Sequence, residues 1–106
     1  MDFDRVKEYM MQRLRRGLAP NLYYHGIHHT IDVMRAADEI AVSERISGMD
    51  KTILMTAALF HDVGFLIRYK ANEDISAGMC WNILPRFNYT QSEIMMIAHI
   101  IMSTSI

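Results

Sequence analysis

Histidines and one aspartate in two short stretches are the residues of this chain whose types and spacing could do chemistry. Three of the five histidines fall within YYHGIHHT, residues 23–30. His25 and His29 are four residues apart, so on a helix they point the same way, whereas His28 lies about 100° round the axis from His29. Two imidazoles on one helix face can bind a divalent metal ion, but this spacing also arises by chance.

The second stretch is AALFHDVGF, residues 57–65, in which His61 and Asp62 follow an apolar run. Burying an imidazole and a carboxylate together is costly unless a partner compensates, and a divalent cation accepts both ligand types. The alternative is a helix end at which His61 interacts with the helix dipole and Asp62 is solvated. Each stretch alone therefore leaves both interpretations open.

The elements that must position these residues are all predicted to be helices. Apolar residues recur at helical spacing in five segments, separated by glycines, prolines and short polar runs. The first three predicted helices cover residues 3–17, residues 26–43 and residues 50–61, the last with Asp50 as its N-cap. The fourth contains Ala77, Cys80, Trp81 and Leu84 and stops at Pro85. The fifth begins with a capping box formed by Thr90 and Glu93. The fold class is therefore all-α, as a bundle of about five helices.

Two further expectations concern the segments around these helices. Residues 17–26 are predicted to form a connector, because Pro20 interrupts a continuous helix there. Residues 63–74 are predicted to be a loop or a short irregular segment. Trp81 lies at helical spacing with other apolar residues and is assigned to the core.

Composition and charge exclude several classes of protein. The 106 residues are 51% hydrophobic, enough for one domain with a packed core. Eleven basic residues against twelve acidic ones give a net charge of -1, which argues against binding a nucleic-acid polymer. No apolar run is long enough to span a bilayer, no signal peptide is visible, and the single Cys80 suits a reducing compartment. We expect a cytoplasmic protein without a membrane partner.

Taken together, the two stretches resemble the HD superfamily of metal-dependent phosphohydrolases, and within it the small predicted HD phosphohydrolase group. The sequences of its members typically contain Tyr-Tyr-His-x-x-x-His-Thr and then Ala-Ala-Leu-Phe-His-Asp-x-Gly-Phe. A segment ending in Ser-Ala follows, and then a run similar to ILPRFNYTQSEI. This chain has YYHGIHHT, AALFHDVGF, ISA and ILPRFNYTQSEI in that order, over most of residues 22–104. The resemblance implies an HD-domain-like helical bundle over residues 1–106.

The resemblance also implies a site and a reaction. His29, His61 and Asp62 would bind a divalent metal ion, and Asp62 would also belong to the catalytic residues. His25 matches the position that donates a proton to the leaving oxygen in related cyclic-nucleotide phosphodiesterases. The implied reaction is hydrolysis of a phosphomonoester or phosphodiester of a nucleotide or related small molecule by a metal-activated water. The ligand types do not distinguish manganese, iron, magnesium, nickel and zinc.

Two features depart from the family pattern. The family's fourth ligand is an aspartate in a later helix, and this chain reaches Ile106 without an Asp-Ala-Asp-Leu-like run. Because the fifth helix is still apolar there, we expect a truncated domain that lacks its C-terminal helix or helices. Asn72 stands where many relatives have a histidine, which weakens the case for a second metal. The alternative function is a non-catalytic regulatory or interaction module with an incomplete metal or nucleotide site, its apolar surface covered by a partner or by a second copy in a homo-oligomer.

The remaining polar residues are given weaker roles. His99 is interpreted as a helix histidine and not a ligand, and Asp32 as a solvated acid that could instead orient His29. The run RLRRG at residues 13–17 is interpreted as a solvated helix end that could alternatively attract anions weakly. Four basic residues could contact a substrate phosphate, although each also suits an ordinary surface position: Arg35, Arg68, Lys70 and Arg86.

Overall fold

The computed structural model describes residues 1–17, 20–67 and 72–103, without the side chains of residues 20–25 and 65. This part of the chain contains five α-helices and two short 3₁₀ helices. The α-helices are α1 (Phe3–Gly17), α2 (Pro20–Ser43), α3 (Gly48–Phe60), α4 (Glu73–Ile83) and α5 (Gln91–Ser103). The 3₁₀ helices are Val63–Leu66 and Leu84–Phe87. These residues include no strand, which confirms the predicted all-α bundle. No helix within these ranges is both long and apolar enough to cross a membrane.

Helix α3 occupies the centre of the bundle. It packs against α2 and α5, while α4 packs on α5 and α1 contacts both α2 and α3. Residues 56–60, the last five of α3, are all buried, and Phe60 is fully so. Because burying a side chain of this kind contributes about 1.5–3 kcal/mol, the end of α3 is firmly fixed. The largest fully buried side chains come from four α-helices and from the second 3₁₀ helix: Val6, Met10, Leu59, Phe60, Ile83, Leu84, Ile94, Ile97 and Ile101.

Helix α2 begins earlier than the sequence predicted. Residues 17–26 were expected to form a connector, but the helix starts at Pro20. Proline is tolerated at the first helical position, because its missing N–H would be unpaired there in any case. The prediction of a connector is therefore wrong for the part that follows Pro20, and the remaining residues 18–19 lie outside the described ranges. As a result, the backbones of His25 and His29 share one helix.

The end of α2 at Ser43 agrees with the prediction and has a clear physical cause. Arg45 has a left-handed backbone, with φ of 56°. The N–H of Ile46 donates to the carbonyl of Ala41 at 2.8 Å, and that of Arg45 to Val42 at 3.3 Å. These two bonds form a Schellman motif, which satisfies carbonyls that the helix end would otherwise leave unpaired. The chain then turns back so that α3 packs along α2.

Helix α3 begins two residues before the predicted N-cap. Ser47 precedes the helix without a side-chain capping bond. Asp50 lies in the first turn of α3, where a carboxylate still interacts favourably with the helix N-terminus, but it is not the cap. At its other end α3 stops at Phe60, and the chain turns into the 3₁₀ helix Val63–Leu66.

Helix α4 buries the predicted stripe only in part. Cys80, and Leu84 directly after the helix, are fully buried, but Trp81 is 42% exposed, so its assignment to the core is wrong. The buried stripe within α4 begins one position earlier than predicted, and it includes a polar residue because the hydroxyl of Ser76 accepts a backbone hydrogen bond. The members of this stripe are Ser76, Met79, Cys80 and Ile83.

The boundary between α4 and α5 agrees with the prediction. The α-helical ladder stops before Pro85, which has no N–H to donate, and the chain continues as the 3₁₀ helix Leu84–Phe87. The N–H of Thr90 donates to Oε1 of Glu93 at 2.8 Å, and the N–H of Glu93 donates to Oγ1 of Thr90 at 3.2 Å. These reciprocal bonds are the predicted capping box at the start of α5.

Candidate metal centre

His29, His61 and Asp62 meet where α2 packs against the end of α3. Nε2 of His29 lies 3.0 Å from Oδ2 of Asp62, and Nε2 of His61 lies 3.2 Å from the same oxygen. The two Nε2 atoms are 3.4 Å apart, and the imidazole centroids are 5.3 Å apart. The fold thus brings together three potential ligand atoms from the two stretches that the sequence analysis singled out.

The triangle formed by these three atoms has the dimensions of one face of a metal coordination shell. Imidazole nitrogens and carboxylate oxygens bind zinc-like divalent ions at about 2.0–2.2 Å, so neighbouring ligand atoms lie about 3.0–3.5 Å apart. Separations of 3.0, 3.2 and 3.4 Å therefore allow all three atoms to contact one ion. Two imidazoles and a carboxylate are also a ligand set that such ions accept. The residues fit a divalent ion and leave further coordination positions open.

His61 is held in an orientation that suits a ligand. Its Nδ1–H donates to the carbonyl of Ala58 at 2.8 Å. Because a carbonyl only accepts, this bond places a proton on Nδ1 and turns Nε2 towards the triangle. Burial favours the neutral ring, but the hydrogen bonds with Asp62 and Ala58 outweigh it and raise the pKa of His61 above its ordinary value. A proton on Nε2 and a metal ion therefore compete for the same nitrogen.

Asp62 is held as a carboxylate. The hydrogen bond from His61 lowers the pKa of Asp62, and the nearby charges of His61 and His29 act in the same direction, while burial opposes them. Its side chain is 35% exposed, so the site opens to solvent on one side. The carboxylate is ionised at neutral pH, which is the form that binds a metal ion.

The turn that follows Asp62 is clamped against the beginning of α4. The N–H of Gly64 donates to Oγ of the fully buried Ser76 at 2.8 Å, and the N–H of Ser76 donates to the carbonyl of Asn72 at 2.9 Å. A Cβ at Gly64 would collide with that carbonyl oxygen and lie 2.9 Å from Oγ of Ser76. The role of Ser76 was not predicted, although ISA is one of the four segments that resemble the HD superfamily. A polar residue at the spacing of buried apolar ones was the available signal.

Three other polar residues of α2 were considered together with His29 in the sequence: His25, His28 and Asp32. The side chain of His25 lies outside the described part of the structure, so its assignment as proton donor stays a prediction. His28 is exposed on α2. Asp32 is 66% exposed and pairs with Arg35 at 3.7 Å, as expected for a solvated helix acid.

The remaining candidates are spread over the molecule. Arg86 donates to the hydroxyl of Tyr9 at 3.2 Å and lies over its ring, so it connects the second 3₁₀ helix to α1. His99 is exposed on α5 and lines a pocket with Ile46 and Asp50 near the start of α3, whereas the triangle lies at the end of that helix. Arg68 and Lys70 lie outside the described residues.

An apolar groove borders the site on the side of α5. It has a volume of about 230 Å³ and runs between α2, α3 and α5, with His61 among its lining residues. Small side chains on α2 and α3, including Ala36 and Ala57, create this space. One flank of the site is therefore shielded by apolar groups, while the other is open.

Comparison with known proteins agrees with this geometry. A model of the HD domain family matches residues 26–103, a range that includes all three residues of the triangle. The chain belongs to the HD domain family. Proteins with an HD domain are generally hydrolases that bind divalent metals. The family assignment confirms the resemblance to the HD superfamily that the sequence segments indicated.

One relative of this HD domain is an uncharacterized protein of Clostridium beijerinckii, which is 33% identical over 73 residues. The alignment covers 66% of this chain and 46% of the relative, so the chain spans about half the length of that protein. No solved structure matches.

Proposed function

We propose that this HD domain binds a divalent metal ion through His29, His61 and Asp62 and takes part in the hydrolysis of a phosphate ester. The observation on which this proposal depends is the convergence of three potential ligand atoms, each within 3.4 Å of the others, in a chain of the HD family. The substrate we propose is a phosphomonoester or phosphodiester of a nucleotide or a related small molecule.

The residues of this chain have distinct parts in the proposed chemistry. A bound divalent ion would lower the pKa of a coordinated water molecule and would place positive charge beside the phosphate. Asp62, with its lowered pKa, remains an anion that attracts the cation at neutral pH. The bond from His61 to Ala58 fixes the ring, as second-layer bonds do for histidine ligands in other metal sites. His25, one turn before His29 on α2, is the proposed donor of a proton to the leaving oxygen.

The second candidate function is a non-catalytic interaction or regulatory module. Exposed apolar side chains favour it, because Met95 is 62% exposed on α5 and Val42 is 68% exposed at the end of α2. A partner or a second copy could bury such residues. This alternative predicts a domain without hydrolytic activity, whether or not it binds a metal ion.

The two functions are separated by measuring hydrolysis of para-nitrophenyl phosphate and of its bis ester with each of several divalent ions. The proposal predicts metal-dependent hydrolysis that His61→Ala abolishes and that the matched control His99→Ala retains, since His99 lies away from the site. Metal binding without hydrolysis of either compound or of a nucleotide panel would favour the interaction module. Equal activity in His61→Ala and the wild type would contradict the assigned site.

A further inference from the structure

A second cleft lies on the far side of α2 from the candidate metal centre. Its volume is about 450 Å³, and its walls come from α1, α2 and α3. At about 100° per residue, Met34 and Asp38 in this cleft are about 140° and 180° round the helix from His29. The cleft is therefore separate from the candidate metal centre. Its size is within the range of small-molecule sites, about 300–1,000 Å³.

The rim of this cleft is basic. Lys7 and Arg15 lie on the same face of α1, two turns apart, and Arg35 faces them from α2. Among the described lining residues the acid is Asp38, whose carboxylate is already paired with Lys51 at 2.7 Å. Arg35 is itself paired with Asp32 at 3.7 Å. Among the described residues, Lys7 and Arg15 therefore supply the positive charge of the rim that these ion pairs leave uncompensated, in a protein whose net charge is -1. This local excess selects for an anion.

The floor of the cleft is apolar and rich in methionine. Met11 and Met34 are 8% and 5% exposed, and Met55 and Ile31 complete the surface between the helices. Methionine side chains are flexible and adapt to irregular apolar partners. These floor side chains offer no N–H or O–H group that could recognise the polar edge of a nucleobase. The floor therefore suits an aliphatic chain better than a nucleotide.

We propose that this cleft binds a small organic anion with an aliphatic chain, of the class of alkyl carboxylates and alkyl phosphates. The anionic head pairs with Lys7, Arg15 and Arg35 at the rim, and the chain lies on the methionine floor. The proposal explains why Arg15 of RLRRG and Arg35, for which the sequence indicated at most a weak contact with an anion or a phosphate, both line one apolar cleft. It does not depend on the proposed hydrolytic function.

The test is calorimetric titration of the metal-free protein with decyl phosphate, below the concentration at which it forms micelles. One molecule should bind per chain, and Lys7→Gln/Arg15→Gln should weaken binding by about tenfold or more, since hydrogen bonds to charged groups are involved. The matched control Arg13→Gln/Arg16→Gln removes two cations from the same helix that do not line the cleft, and should change the affinity by less than about twofold.

Three further titrations test whether binding requires the anionic head group, the aliphatic chain and a ligand that is free in solution and not part of a membrane. Inorganic phosphate lacks the chain, and decyltrimethylammonium reverses the charge, so both should bind at least about tenfold more weakly than decyl phosphate. Vesicles of phosphatidylglycerol test a membrane surface as the source of the anion. Equal binding of the cationic analogue, equal weakening by the control double variant, or binding to vesicles without binding of decyl phosphate would each overturn the proposal.

Discussion

Two groups of polar side chains lie on α3 and directly after its end, and they find their hydrogen-bond partners in opposite ways. Thr56 is fully buried, and its hydroxyl donates to the carbonyl of Thr52 at 2.7 Å. Because that proton is used, the hydroxyl of Tyr89 donates to Thr56, also at 2.7 Å. Tyr89 is 5% exposed, and burial raises its pKa. Each polar group of this pair finds its partner within the fold, so the pair is structural.

His61 and Asp62, which directly follow α3, form a different kind of polar group together with His29. Nε2 of His61 and Nε2 of His29 face each other at 3.4 Å and share one carboxylate oxygen of Asp62. Without a bound proton or cation, two nitrogen lone pairs and an anionic oxygen would repel one another. The comparison shows how a buried structural polar pair differs from a ligand set: the first is complete within the fold, and the second converges on a point that an added cation can occupy.

The largest expected effect comes from Gly64→Ala, which tests whether the turn after Asp62 is as rigid as the structure indicates. The added Cβ would collide with the carbonyl of Asn72. We expect the free energy of unfolding to fall by about 3 kcal/mol or more, measured by urea denaturation. Gly78→Ala is the control, because a Cβ at Gly78 meets nothing within 4 Å, and alanine should stabilise α4 by up to about 1 kcal/mol. Equal effects at the two glycines would contradict a clamped turn.

Thr56→Val should break the structural pair and leave the candidate metal centre unchanged. The substitution leaves the buried hydroxyl of Tyr89 without its partner, so we expect a loss of about 1–3 kcal/mol in the free energy of unfolding. Thr52→Val, on the same helix, removes only a bond to Gly48 at 3.3 Å on the exposed side and should cost less than about 1 kcal/mol. A fall in metal affinity with Thr56→Val would show that the two polar regions are coupled.

Ser76→Ala should weaken the metal site without touching a ligand. It leaves the N–H of Gly64 unpaired and loosens the turn that follows Asp62, so we expect metal affinity to fall by about 10- to 100-fold, as for other second-layer groups. The measurement is a metal titration at a temperature where the variant is fully folded. Ser92→Ala, at an exposed position on α5, is the matched control. Unchanged affinity in Ser76→Ala would mean that α4 does not position the site.

The smallest expected effect is on stability as a function of pH, in the absence of metal. The pKa of His61 is raised by folding, so its contribution to stability is fully present below the pKa of the unfolded chain and is lost as pH rises through the folded pKa. The difference in free energy of unfolding between wild type and His61→Ala should therefore be larger near about pH 5.5 than near about pH 8.5. Asp62 is ionised in both states over this window and does not reverse the sign. A larger difference at the higher pH would contradict the assigned interactions.

The sequence predicted the fold class and the order of the helices, because each depends on a local pattern. The three residues of the triangle were indicated by the resemblance to the HD superfamily, because each stretch alone left two interpretations open, and their role as ligands stays a prediction. The predicted stripe of α4 was right for Cys80 and Leu84 and wrong for Trp81, since helical spacing admits two stripes that differ by one position. The choice between Trp81 and Ser76 as a buried residue depends on the bond from the N–H of Gly64, which is a contact between distant segments. The early start of α2 was missed for a simpler reason: Pro20 was interpreted as a break, although proline also suits a first helical position.

Titrating the metal-free protein with Co²⁺, and following its absorption and binding heat, shows whether His29, His61 and Asp62 form a site for a divalent ion. We expect one tightly bound ion per chain in the wild type and in the control Asp32→Asn, whose carboxylate pairs with Arg35 on the surface. Asp62→Asn should bind at least about 100-fold more weakly while remaining folded. No bound ion in the wild type, or equal affinity in Asp62→Asn and Asp32→Asn, would contradict such a site.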